Sequence, residues 1–581
     1  MTRFYVNFVK KAELPAFSFN SGILKATFVV SSRSIVAILS VLFPALVSGQ
    51  ATYAPLDREY YHLIDRYEIL SPGLARQFHS AVKPISRKAI ALFADSIHLD
   101  SARLSSRDRF NLQYLKDDNW EWSDQAREQR PFLRHFYHRP AGLYTVRTGE
   151  LMLQVNPVLY FGVGKSNVDE QLSINTRGAT VRGTISDKVG FHTFFADNQV
   201  FSPSYVDDYI SRTEAFPQEG YTKGFKNGGY DFITASGYIT FSPVKCIDVQ
   251  FGHDKNNIGD GYRTLILSDA MSNYTFLKIN TKVWKVNYQN IFAQLNADVY
   301  YKNAMMPKKY MAFHHLSVDI GKHLTVGLFE SVVFSRGDSG QGQYDINYLN
   351  PIIFYRSIEQ QLGSEDNALL GMNWKLNFLR RFSFYGQVAL DEFMLKHVKA
   401  MNGWWANKQG AQAGIKYINV AGIKNLDAQF EANAIRPYMY SHISKRQSYT
   451  HYNHPMAHPR GANLFEMLAV IRYQPLDRLR LCGKFFHTIY GDDGVGQNWG
   501  GDVLKSYVTR ERELDNKIGQ GDRMTINYAS VTASWQMYHN VFLDLSPVVR
   551  IQESPVGSLN KKDLFVMAGF RWNVPQRLQE F

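Results

Sequence analysis

Cysteine is nearly missing from this 581-residue chain, which has only Cys246 and Cys482. Two cysteines exclude a disulfide framework and spell no zinc motif; one bridge or two free thiols are both compatible with them. Long apolar runs are missing as well. Beyond Gly49 there is no stretch of 18 or more apolar residues, so any crossing of a bilayer falls to strands. The motifs of common enzyme chemistries are also lacking: no G-x-S-x-G elbow, phosphate loop or dinucleotide fingerprint stands in a supporting context. Charge is plentiful but one-sided, with 65 Lys and Arg against 52 Asp and Glu, a net +13. The bases are scattered and form no nucleic-acid motif, which removes nucleic acid as a partner. They suit anionic polymers instead, such as acidic polysaccharide or lipopolysaccharide phosphate.

What is abundant is aromatic. Phe, Tyr and Trp make up 14% of the chain, while the mean hydropathy is only −0.29. A transmembrane barrel combines these traits, because each strand alternates lipid-facing and lumen-facing residues and aromatic girdles mark both interfaces. Near the start, Arg33 precedes the apolar run Ile35 to Val47, and Ser48-Gly49 supply small residues ahead of Gln50. Basic flank, short apolar core and small exit form a secretory signal over residues 1–49, although its leading portion is unusually long.

Residues 50–145 have helical periodicity. Asp57 is placed to cap a helix with Tyr60, Leu63, Ile64 and Tyr67 on one face. Ser86 can cap a second with Ile90, Phe93, Ala94 and Ile97, and Ser105 with Asp108 has capping-box spacing for a third. From about Val146 the period becomes two. Leu426, Ala428, Phe430, Ala432 and Ala434 alternate with Asp427, Gln429, Glu431 and Asn433, and Phe382 to Asp391 and Leu564 to Val574 follow the same rule. Each such segment has one apolar and one polar wall. The expected fold is all-β: a large antiparallel transmembrane barrel over residues 146–581 behind a small N-terminal helical segment. At roughly 20–25 residues per strand and connection, it holds about 16–20 strands, with 18 as the best value. Loops are expected at Ser202–Lys226, Ser335–Asn350, His442–Arg460 and Asp492–Asp522, and the terminal aromatic Phe581 suits the barrel-assembly machinery.

Several stretches resemble the Wzi family of outer-membrane capsule-assembly proteins, in the form found in Bacteroidota-like envelopes. They are Asn175-Thr176-Arg177-Gly178 with Ala196-Asp197-Asn198-Gln199, and Phe251-Gly252-His253-Asp254 with Gly259 to Asp269. Tyr348-Leu349-Asn350-Pro351, Leu390-Asp391-Glu392-Phe393, Glu431-Ala432-Asn433 with Arg436-Pro437-Tyr438, and His458-Pro459 with Gly461-Ala462-Asn463 continue the series. Their order across most of the mature chain carries the resemblance. It implies a barrel of about eighteen strands with a periplasmic helical bundle, in the outer membrane of a Gram-negative cell, acting as a lectin for capsular polysaccharide. No family motif assigns individual sugar contacts.

The residues themselves suggest candidates. Trp404, Trp405, Asn407 and Lys408 combine flat aromatic faces with an amide and a cation, as glycan contact requires; an interfacial aromatic belt is the competing explanation. Arg263, Arg356, Asp391, Glu431 and Arg436 are expected to form a lumen ion network. The pair Asp391-Glu392 with Glu431 raises two-carboxylate glycosidase chemistry. Neighbours in a strand point to opposite faces, so Asp391 and Glu392 are not expected to share a site. His451, His454 and His458 have metal-like spacing, but Pro455 and Pro459 exclude the helical two-His geometry, so they are expected in a solvent loop. No metal or cofactor is expected. The leading expectation is a non-catalytic barrel that binds surface polysaccharide and helps assemble or attach a capsule or exopolysaccharide. Its partners are that polymer, outer-membrane lipid and the assembly machinery. A porin-type channel is the alternative, and an outer-membrane hydrolase the second.

Overall fold

The computed structural model describes residues 51–581, apart from 98–103, 129–136, 138, 169–170, 300–304, 337–341, 352–353, 356, 358–362, 365 and 578. The expected signal lies outside the described residues. Among the described residues, eighteen long strands close into one barrel. They are β1 (Leu151–Ser166), β2 (Leu172–Ile185), β3 (Val189–Phe201), β4 (Gly229–Val244), β5 (Ile247–Asp254) and β6 (Tyr274–Val283). Then come β7 (Val286–Asn296), β8 (Lys308–Ile320), β9 (Leu324–Phe334), β10 (Asn367–Phe378), β11 (Phe382–Leu390) and β12 (Gln409–Tyr417). The last are β13 (Leu426–Ile435), β14 (Leu464–Leu476), β15 (Leu479–Asp492), β16 (Asp522–Tyr538), β17 (Val541–Glu553) and β18 (Lys561–Trp572). Neighbours pair antiparallel, and β18 closes on β1 from Phe565↔Ser166 to Trp572↔Leu159.

Burial runs opposite to that of a water-soluble protein. On β13, Asp427, Gln429, Glu431 and Asn433 are buried, while Phe430 between them is 51% exposed. Phe384, Phe251, Ile233, Leu545 and Val566 are likewise exposed on the outer wall. A wall whose apolar side faces out and whose polar side is packed fits a barrel with lipid as its external solvent.

One end of the barrel carries short turns, at 186–188, 245–246, 284–285, 321–323, 379–381, 477–478 and 539–540. The other carries the long connections, and this asymmetry marks the periplasmic and extracellular ends of outer-membrane barrels. Helices α1 (Arg58–Leu70), α2 (Arg87–Ser96) and α3 (Ser106–Asp118) begin at Asp57, Ser86 and Ser105 as their spacing predicts. Ser105 and Asp108 complete a reciprocal capping box. Tyr60, Leu63, Ile64, Tyr67, Ile90, Phe93, Ala94, Leu112 and Leu115 pool into one core between the three helices. The other face of α1 is charged and lies on the inner wall of the barrel. Glu59 pairs with Arg472 at 3.0 Å, Asp65 with Lys416 at 2.6 Å and Glu68 with Lys375 at 2.5 Å. Arg66, only 2% exposed, bridges Asp427 at 2.5 Å and Asp108 at 3.0 Å. Burial raises the Glu59 carboxyl, yet the charges of Arg472, His62 and Lys484 together with the Arg472 hydrogen bond outweigh it and bring the group down to about 2.

Further up, the lumen is filled by the connections themselves. The loop after β5 turns inward, burying Ile258, Leu265, Ile266, Leu267 and Met271 against Tyr440, Tyr449 and Met456 of the loop after β13. Val82 and Lys83 pair in register with Ile258 and Asn257, so the N-terminal segment and this loop meet inside the barrel. Helix α4 (Ser204–Thr213), in the loop after β3, buries Tyr205, Val206, Tyr209 and Ile210. After Trp572 the chain reverses at Asn573, whose amide donates to the Asn540 carbonyl at 3.0 Å, and re-enters the lumen. Phe581 therefore packs against Tyr209 with ring centroids 4.5 Å apart, inside the barrel. The last strand ends at Trp572, and the polar residues that follow it separate Phe581 from the alternation, as the sequence indicates.

Candidate functional site

At the long-loop end, the connection from β11 to β12 is pinned at its base, where the Asp391 amide donates to the Lys408 carbonyl at 3.0 Å. The Lys408 ammonium reaches Asp391 at 3.2 Å, Glu392 at 2.9 Å and the Ser441 carbonyl at 3.1 Å. The side chain is fully buried, so the expected surface cation instead ties two loops together. Both carboxylates meet it because β11 stops at Leu390, leaving Asp391 and Glu392 outside the alternation expected to separate them. Burial pushes Asp391 up to about 6 against the pull of Lys408. Asn407 is also structural, its side-chain oxygen accepting from the Met394 amide at 2.7 Å.

The two indoles differ. Trp405 is 9% exposed, with Tyr507 at 4.8 Å and the Arg510 guanidinium 4.3 Å above its ring. Trp404 is half-buried and stacks on His397 at 4.4 Å. Of the four residues expected to touch glycan, Trp404 alone keeps a partly open face. The surrounding surface adds groups that neither periodicity nor motif singles out. Trp499 is half-buried with Arg512 5.1 Å from its ring, and the same loop supplies the Tyr507 and Arg510 that pack on Trp405. Rings and guanidinium groups in one loop suit pyranose faces together with anionic substituents. The loop holds its shape through left-handed glycines: a Cβ on Gly500 (φ 81°) would sit 2.5 Å from the Tyr438 nitrogen. The signal in the sequence is the run of Trp, Tyr and Arg within a Gly-rich stretch.

The expected lumen network forms with different partners. Arg263 makes a two-point pair with Glu466, both contacts at 3.1 Å, and not with Asp391 or Glu431. Glu431 receives the backbone amides of Tyr262 at 2.7 Å and Arg263 at 3.0 Å, with the Tyr385 hydroxyl at 2.8 Å. It thus anchors the inserted loop through its main chain. Arg436 donates to the Trp404 carbonyl at 3.1 Å. Arg356 lies outside the described residues. His451, His454 and His458 are 2%, 0% and 0% exposed, which overturns their placement in a solvent loop. Each ring has its own partner: the Asn296 amide at 3.0 Å, the Ala215 carbonyl at 3.5 Å and Glu466 at 3.0 Å. Burial brings His451 down to about 3 and His454 to about 4. Cys246 and Cys482 are free thiols.

Between the helices and the walls formed by β1–β5 and β15–β18 lies a cavity of about 290 Å³. Arg87, Asp118, Arg182, His192, Tyr238 and Arg480 line it, among others. Arg87 pairs with Asp118 at 2.8 Å and Arg182 with Glu121 at 2.7 Å, so much of its charge is balanced locally.

Comparison with known proteins agrees with this architecture. The family model described as capsule assembly protein Wzi matches residues 165–555. Among solved structures, a similar one is Wzi of Escherichia coli, described as a carbohydrate-binding β-barrel involved in group 1 capsule assembly. It shares 13% identity over 92% of this chain and 100% of that one, with a TM-score of 0.54. The outer-membrane protein OprD of Pseudomonas aeruginosa also matches, at 9% identity over 72% of this chain and 93% of that one, with a TM-score of 0.40. A search of curated proteins finds no match.

Proposed function

Because the chain belongs to the Wzi family of capsule-assembly proteins, we propose that this outer-membrane barrel is a non-catalytic lectin that holds surface polysaccharide at the cell surface. The observation that carries the reading is the filled lumen. Helices α1–α3 lie on the inner wall at the short-turn end, while inward loops and the C-terminal segment occupy the interior. A barrel packed in this way is suited to presenting its loops rather than passing solute. Trp404, Trp499, Tyr507, Arg510 and Arg512 supply the aromatic and cationic face, and weak contacts repeated along one polymer add up through multivalency. In the same reading, residues 1–49 are removed on export, 50–145 face the periplasm, and insertion uses lipid and the barrel-assembly machinery.

The test pairs two measurements on the detergent-purified protein. Binding to a panel of capsular and exopolysaccharides, with stepwise ion conductance absent in planar bilayers, is the expected result. No binding to any polymer, or porin-sized conductance steps, would overturn it.

A further inference from the structure

Residues 574–577 and 579–581 sit in a prepared cradle. The Glu580 carboxylate receives the Lys484 ammonium at 2.6 Å and the Tyr262 hydroxyl, and Arg263 donates to the Glu580 carbonyl at 2.5 Å. Beside it, Tyr205 and Tyr209 flank the Phe581 ring, Tyr205 donates to the Gln579 carbonyl at 2.7 Å, and Arg550 donates to the Phe581 carbonyl at 3.0 Å. Arg577 reaches Glu219 at 3.0 Å and Asn198 at 2.7 Å. A lysine ammonium and a tyrosine hydroxyl on one carboxylate, with an arginine on the adjoining carbonyl and two tyrosine faces beside them, are the groups that recognise an acidic sugar.

The same segment also partitions the interior. Asn573 to Gln576 form one wall of the 290 Å³ cavity. Gln576, Arg577, Gln579 and Glu580 wall a second cavity of about 80 Å³ against β1 and β16–β18. Glu580 and Phe581 bound a third of about 30 Å³ that touches the inserted loop at Arg263 and Thr264. Lys484 lines both the first and the second, so these spaces adjoin through the groove that the segment fills.

We propose that residues 574–581 are an intramolecular occupant of a carboxylate-binding groove, and that a uronic acid unit of the bound polysaccharide takes the place of Glu580 when the segment withdraws. This rests on the polysaccharide-binding reading above. Among its described residues the segment pairs with no strand and is held by polar contacts and one ring, so exchange needs no strand to break. A short tether presents its own carboxylate at an effective concentration on the order of millimolar, which a polymer carrying many uronates can outcompete.

The test is trimming after Arg577 by trypsin, followed by intact-mass spectrometry on the folded protein in detergent. The wild type is expected to resist trimming alone and with maltooligosaccharides, and to be trimmed about tenfold faster with oligogalacturonate of matched length. Glu580→Gln is expected to be trimmed faster without any ligand, and Lys484→Met likewise. Equal trimming with neutral and acidic oligosaccharides, or a wild type trimmed as fast as Glu580→Gln, would overturn the proposal. If the protein binds capsular polymer while oligogalacturonate leaves trimming unchanged, this inference fails and the lectin reading stands.

Discussion

Replacing Arg66 by methionine isolates what holds the helical segment in the barrel. Arg66 is 2% exposed, and its guanidinium serves Asp427 on the wall, Asp108 of α3 and the Asn419 side chain at 2.9 Å. Methionine fills most of the volume but leaves two buried carboxylates without their cation. Removing one partner of a buried pair costs about 3–5 kcal/mol, mainly because the abandoned charge stays buried. At about 1.4 kcal/mol per decade, that is roughly a hundredfold to a few thousandfold faster opening of α1. The assay is hydrogen exchange of the α1 amides in the detergent-solubilised barrel. Arg66→Met should expose them while β13 and its neighbours keep their protection. Asp427→Asn alone should also weaken docking, and the double variant should lose clearly less than the sum, because the pair shares one interaction. Protection of α1 unchanged within about 0.5 kcal/mol in Arg66→Met would refute the view that this network carries the docking.

Four further outcomes follow from the geometry. Trp405→Ala should disorder the loop after β15, losing about 3–5 kcal/mol of local packing. Trp404→Ala should leave the fold intact and lower polysaccharide affinity, so circular dichroism and binding together separate the two. Phe430→Arg should destabilise the barrel by about 2–4 kcal/mol, since the charge faces lipid in mid-strand; urea unfolding in vesicles measures it. Acid should loosen the loop after β13. His451 and His454 are held neutral by burial, down to about 3 and about 4, below the ordinary 6.5. The unfolded loop then binds more protons than the folded one. Stability is fully present above pH 6.5 and falls by about 1.4 kcal/mol per histidine for each unit down towards pH 4. Exchange of the loop amides against pH should show that slope, and His451→Gln should reduce it.

Much of the architecture is legible in the order of the residues. Asp57, Ser86 and Ser105 mark their helices because a cap is a local contact between one side chain and the first free amides. The alternation along β13 and β11 reads directly as two walls, and chain length then limits the number of strands. What stays hidden shares one physical cause: inside a polar lumen, burial leaves no apolar trace in the sequence. The stretch from His451 to His458 has the composition of a solvent loop, yet its histidines are buried among other polar groups. Lys408 reads as a surface cation for the same reason. For Asp391 and Glu392 the difference is one of boundary, since alternation no longer constrains residues one position past the end of a strand. The partners of Arg263 and Glu431 depend on which loop enters the barrel, and no local pattern encodes that.

The ion pairs of α1 have a consequence in time. Glu68 meets Lys375, Asp65 meets Lys416, Arg66 meets Asp427 and Glu59 meets Arg472, across sequence separations of 307, 351, 361 and 413 residues. Contacts so distant must wait for the intervening chain, because closing such loops is entropically slow. This segment, made ahead of the barrel strands, therefore finds its partners only after β10 to β14 have been delivered and paired. Until then its charged face is matched by water alone, and docking reports that the far wall has been built. A cell watching protease sensitivity of α1 would be reading the completion of the barrel from residues made before any of its strands.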